Sequence, residues 1–204
     1  MDEVRTPGRS PFTKKKLIVL IAAAAALALI VCVVLLIASA RSPKAVAERF
    51  IAAYLKGDLA GREKLCAYDW REWIVDRNAG GGEDDFFENM SDTYDEDIAS
   101  WKDYFKVFAD AAEEKLSDQY GKYKIRIEAT RVRDLSARKI ENDYERVLEQ
   151  YEDFGLDPDR ISKGAEVTVK AKIDGEDDSV KHVYKVTLVK IGLSWKFLFM
   201  SIDE

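Results

Sequence analysis

Apolar and polar residues follow three rhythms along this 204-residue chain. From Leu17 to Ala40 there is none: 24 residues pass without a charge. A helix needs about 20 apolar residues to span the hydrocarbon core of a bilayer. From Pro43 to Leu116 the apolar positions recur three or four apart, the period of a helix face. From Tyr123 onward much of the chain alternates with a period of two, the signature of half-buried strands.

The helical part divides at its capping residues. Ser42-Pro43 reads as an N-cap followed by proline at the first helical position. Val46, Phe50 and Tyr54 then share one face. Gly57 ends that helix, and Asp58 caps a second, short one running to Leu65 and Cys66. Tyr68, Trp70 and Trp73 follow, and Asn78-Ala79-Gly80-Gly81-Gly82 reads as a flexible linker. It is no phosphate loop, because no lysine with Ser or Thr stands at the required spacing. Phe87, Met90, Tyr94, Ile98, Trp101, Phe105, Phe108, Ala112 and Leu116 form the longest helical pattern, with a break expected at Ser91-Asp92.

In the second half, Tyr123, Ile125, Ile127 and Ala129 alternate with Lys124, Arg126 and Glu128. A helix opens at Leu135-Ser136, carries Ile140, Tyr144, Val147, Leu148 and Tyr151 on one face, and ends at Gly155. Asp157-Pro158-Asp159 makes a turn. Val167, Val169, Ala171 and Ile173 alternate with Glu166, Thr168, Lys170 and Lys172 as a second strand. Strands over 180–191 and 195–202 follow, joined at Gly192-Leu193. Strands so close in sequence pair as antiparallel hairpins. Helices followed by an antiparallel meander predict an α+β domain, about four strands with helices packed on one face and a helical insertion between the first two.

The apolar run sets the expected topology. Lys14, Lys15 and Lys16 abut it, and clustered bases on a short flank favour the cytoplasmic side. The expectation is a cytoplasmic basic tail (1–16), a transmembrane helix (17–40) and an extracytoplasmic domain (41–204). Ala38-Ser39-Ala40 also fits a signal-peptidase site, but a signal h-region spans about 7–15 residues, shorter than this run. The outer domain carries 27 bases and 36 acids, a balance that argues against nucleic acid and against broad contact with anionic headgroups. Ala22 and Ala26 have the small-xxx-small spacing that lets helices approach, though alanine is also simply tolerated in lipid.

Little in the outer domain carries chemistry. Cys66 is its only cysteine, so no internal disulfide forms there, and a small buried apolar role suits it. His182 is the single histidine, and a lone histidine on a strand supplies neither a nucleophile–base pair nor, with one cysteine, a zinc site. The acidic clusters Asp92, Asp95, Glu96, Asp97 and Asp174, Glu176, Asp177, Asp178 lack the spacing of a calcium loop and read as a solvated helix start and turn. No catalytic residue, cofactor site or metal site is assigned.

The helix beginning after Pro43, the Lys56-Gly57-Asp58 step, the second helix ending at Leu65-Cys66 and the Gly192-Leu193-Ser194-Trp195-Lys196 hairpin together resemble the nuclear-transport-factor-2-like, or cystatin-like cone, domains. The resemblance covers about 44–70 and 120–204; the long 83–118 region and the helix at 136–154 depart from it. Members of this fold serve as enzymes, ligand binders and assembly modules, and fold alone does not choose among them. An isomerase-like member would place a carboxylate and a tyrosine in an apolar cavity, and Tyr54, Asp69, Trp70 and Trp73 are the residues here that such a cavity would use. The expected function is a non-enzymatic, membrane-anchored binding or assembly module of a bacterial cell envelope, with a protein partner there and self-association open to it. The alternatives are a small-molecule binder or isomerase using the cone cavity, and a bitopic component of a type IV secretion-like machine.

Overall fold

A computed structural model describes residues 41–203, so the expected membrane segment Leu17–Ala40 lies outside the described residues. Among the described residues, no helix is long and apolar enough to cross a membrane.

Among the described residues, five of the six α-helices start where a short polar side chain takes up free backbone N–H groups. Helix α1 (Pro43–Leu55) is capped by Ser42, whose hydroxyl accepts from Ala45 N at 3.2 Å. Helix α2 (Leu59–Glu63) is capped by Asp58, which accepts from Gly61 N at 2.8 Å. Between them Gly57 sits at φ +67, and a Cβ there would lie 2.6 Å from Ala112 Cβ, so both backbone and packing demand glycine.

Helices α3 (Trp70–Ala79) and α4 (Glu83–Tyr94) meet through a tight turn, not the expected flexible linker. Helix α3 runs through Asn78 and Ala79, left-handed Gly80 closes it, and Gly82 already caps α4. The break before α5 (Trp101–Tyr120) also falls later than Ser91-Asp92. Ser91 stays helical because its hydroxyl reaches sideways, accepting from Ile98 N at 3.0 Å and donating to Ile98 O at 3.3 Å. The chain leaves the helix instead at Asp95, in the left-handed region at φ 54.

Four strands, β1 (Lys124–Ser136), β2 (Ile161–Asp174), β3 (Ser179–Ile191) and β4 (Ser194–Asp203), form one antiparallel sheet in the order β1-β2-β3-β4. The α+β expectation and the helix inserted between the first two strands hold, with six α-helices against an open four-stranded sheet among the described residues. A bulge between Ala129 and Arg131 lets β1 continue to Ser136, well past the alternating run visible in sequence. Ser136 then caps the inserted helix α6 (Ala137–Glu152), and a 3₁₀ turn (Pro158–Arg160) leads into β2.

The two faces of the sheet have different covers. On the inner face lie Val167, Val169, Ala171, Tyr184, Val186 and Leu188, all buried. Helix α1 closes this face: the Phe50 ring stacks on Phe197 with centroids 3.6 Å apart, and Tyr54 meets Tyr184 edge-on at 6.1 Å. On the outer face, α6 covers one end only. Ile140 sits over Gly164, leaving no room for a Cβ, and the Thr187 hydroxyl donates to the Tyr144 hydroxyl at 2.8 Å. Helix α6 kinks at Tyr144.

The Phe50 ring is 2 % exposed and sits at the junction of α1 and β4. Phe50→Ala is expected to cost about 3–5 kcal/mol in denaturant unfolding, the range for deleting a buried aromatic side chain.

Candidate functional site

The four residues suggested by the cone resemblance have separate employments. Asp69 is exposed and caps α3, accepting from Arg71 N at 3.0 Å and Glu72 N at 3.1 Å. Trp70 is 2 % exposed and packs edge-on against Trp101 at 6.2 Å. Trp73 lies edge-on to Tyr68 at 5.8 Å, with Arg77 over its ring at 5.4 Å. Only Tyr54 and Trp70 converge, and they do so on a cation. The Arg62 guanidinium lies 5.3 Å from the Tyr54 ring and 5.9 Å from each of the Phe50 and Trp70 rings.

Sequence spacing gave no hint that Arg62 would fill this aromatic setting. No carboxylate pairs with it among the described residues, so the ring faces supply the negative potential that holds it. Proton transfer in an apolar cavity needs a buried carboxylate beside the tyrosine. Here the carboxylate faces solvent as a helix cap, and a guanidinium faces the tyrosine.

Burial pushes the Cys66 thiol up to about 12, so it stays protonated and non-nucleophilic near neutral pH. Burial, with the nearby Cys66 and Tyr151, also raises Tyr68, which stacks on Tyr151 at 3.8 Å. His182 is half-buried on β3, its ring 6.0 Å from Tyr184. Among the described residues no three His, Cys, Asp or Glu side chains converge as metal ligands. In the acidic cluster between β2 and β3, Asp178 accepts from Ser179 N at 2.7 Å and Asp174 is held by lysine and arginine.

A different surface has the character of a binding site. Among the described residues, nothing covers the outer face of the sheet beyond the end under α6. Here the alternate positions of β1, β2 and β3 carry Arg126, Glu128, Lys170, Lys172, Lys181 and Val183, which line a groove of about 420 Å³. The register sets Arg126 opposite Lys172, and Lys172 opposite Lys181. Three cations therefore stand directly abreast across three strands, roughly 4.8 Å from strand to strand. Like charges so placed repel one another. One carboxylate relieves part of this: Asp174 pairs with Arg126 at 3.1 Å and also with Lys172. The Lys172 bond, then the Arg126, Lys172 and Lys181 charges, hold its carboxyl below the usual carboxylate range. Lys170 and Lys181 are exposed and make no ion pair among the described residues.

This concentration of positive charge is invisible in the total. The four strands carry eleven lysines and arginines against five acids, whereas the rest of the domain carries 16 against 31. The fold sorts the charges, placing an excess of cations on the sheet of an acidic domain. Compared with family models, with curated proteins and with solved structures, the chain matches none.

Asp174→Asn removes the carboxylate shared by Arg126 and Lys172. The variant is expected to be less stable than the parent above the carboxylate range. Its deficit should shrink as pH falls through the depressed Asp174 titration, where the parent also loses the charge, and should shrink in high salt. Thermal unfolding at two pH values and two ionic strengths reads both trends; a salt-independent deficit would contradict the electrostatic account.

Proposed function

We propose that this chain is a non-enzymatic binding or assembly module of a bacterial cell envelope. In this reading Leu17–Ala40 anchors it in the membrane, residues 1–16 stay in the cytoplasm, and residues 41–204 work outside. The domain is of the nuclear-transport-factor-2-like, cone type, which an open antiparallel meander with α1 against its inner face supports. Anchoring confines encounters with partners to two dimensions and raises the effective concentration of weak contacts.

The observation that carries this reading is the bare cationic half of the outer sheet face. This face keeps Glu128 and Asp174 among its cations, yet three cations abreast carry a cost that an anionic partner would reduce further. The partner is therefore expected to present acidic groups, not the cationic surface that the net charge alone would suggest. No arrangement of Tyr54, Asp69, Trp70 and Trp73 favours the isomerase alternative, since Asp69 is a cap and Trp70 is core. A component of a type IV secretion-like machine is a special case of the same reading.

The test is crosslinked capture of the tagged full-length chain from native membranes, beside Lys170→Glu/Lys181→Glu. Both lysines are exposed, so the variant should keep its fold and melting temperature. Loss of a specific partner in the variant supports the reading. Identical capture by both proteins would place the binding surface elsewhere, and substrate turnover by the purified chain would overturn the non-enzymatic reading.

A further inference from the structure

The anionic group that fits the cation row is present in the chain itself. Beyond its kink at Tyr144, helix α6 carries Glu145, Glu149 and Glu152 at spacings of four and three residues, with Glu141 before the kink, and all four are exposed. Side chains so spaced on a helix stand about 5–6 Å apart along one stripe. That repeat is close to the roughly 4.8 Å separation of neighbouring strands. A helix laid across the strands would thus bring successive glutamates over Arg126, Lys172 and Lys181. Glu141, Glu145, Glu149 and Glu152 also line, with Asp157 and Asp159, a groove of about 620 Å³. Acids on this stripe have no ion-pair partner among the described residues; the one pair along α6 is Lys139 with Asp143, at 2.7 Å on another side.

We propose that the cation row on the bare half of the outer sheet face receives helix α6 of a second copy of this chain. The inference rests on reading that face as the binding surface, and it names the occupant. Helix α6 and the bare half lie on the same side of the sheet, with α6 on the Gly164 and Thr187 end. A two-fold axis therefore satisfies both contacts at once: each copy gives one acidic helix and accepts one. Such an isologous pairing closes at two copies. Charge complementarity fixes its orientation, because a helix set on a helix or a row set on a row would juxtapose like charges.

The experiment uses the full chain in detergent, as an equal mixture of unlabelled and ¹⁵N-labelled protein. Carbodiimide joins a lysine amine to a carboxylate only when the two touch. The expected product is a mixed-isotope amide between Lys170, Lys172 or Lys181 of one copy and Glu141, Glu145 or Glu149 of the other. Sedimentation should show a dimer that dissociates as salt is raised. Lys170→Glu/Lys181→Glu and Glu145→Lys/Glu149→Lys should each weaken dimerisation by roughly tenfold or more. Combining all four reversals should restore it. The glutamate variant changes only exposed helix positions, so it keeps the test valid if the lysine variant unfolds. A dimer indifferent to both reversals, or no dimer at any concentration, overturns the proposal. If the chain stays monomeric while Lys170→Glu/Lys181→Glu still loses a partner captured from membranes, the surface stands and the occupant is a different acidic protein. If neither self-association nor capture responds, both readings fall.

Discussion

The contact between α1 and the inner face of the sheet is the constraint on which the rest depends. Phe50 stacks on Phe197 at 3.6 Å, Tyr54 meets Tyr184, and Arg62 sets its guanidinium over Phe50, Tyr54 and Trp70. This packing ties the first helices to the last strand, whose residues are far apart in sequence. It also makes one face of the sheet dry. A long sheet with one dry face must present the other to α6, to water or to a partner. Helix α6 covers only the end around Gly164 and Thr187. The uncovered half is where the charges collect.

How much of this was legible in sequence follows from which signals are local. The alternation of Val167, Val169, Ala171 and Ile173 with Lys170 and Lys172 identified both the strand and its solvated side, because the period of two is a property of one strand. Caps at Ser42 and Asp58 were legible for the same reason. Long-range geometry was not. The sideways bond of Ser91 to Ile98 moved a helix break, and a bulge at Ala129–Arg131 lengthened β1. Asp69 looked like a cavity carboxylate only by resemblance; its position before Trp70-Arg71-Glu72 was the sign of a cap.

The cation row shows the same limit from the functional side. Arg126 and Lys172 were separately readable as solvent-facing, but their alignment with each other and with Lys181 depends on the pairing register of three strands. Net charge pointed the other way, since 36 acids against 27 bases in residues 41–204 suggest a surface that repels anions. Sorting by the fold reverses that inference for one face. An acidic domain can therefore carry a local receptor for acidic groups, and its own glutamate-rich helix can supply them. If residues 17–40 anchor the chain as proposed, weak and salt-sensitive contacts of this kind would suffice to hold copies or partners together.

The central claim is that the bare half of the outer sheet face is occupied in the native setting. Amine-reactive footprinting of the full chain in intact membranes, beside the same chain extracted in detergent at high salt, tests it most directly. The account predicts that Lys170, Lys172 and Lys181 are slow to react in membranes and fast after extraction, while the exposed Lys102, Lys106 and Lys115 on α5 react equally in both. Equal labelling of the sheet lysines in both states would contradict it.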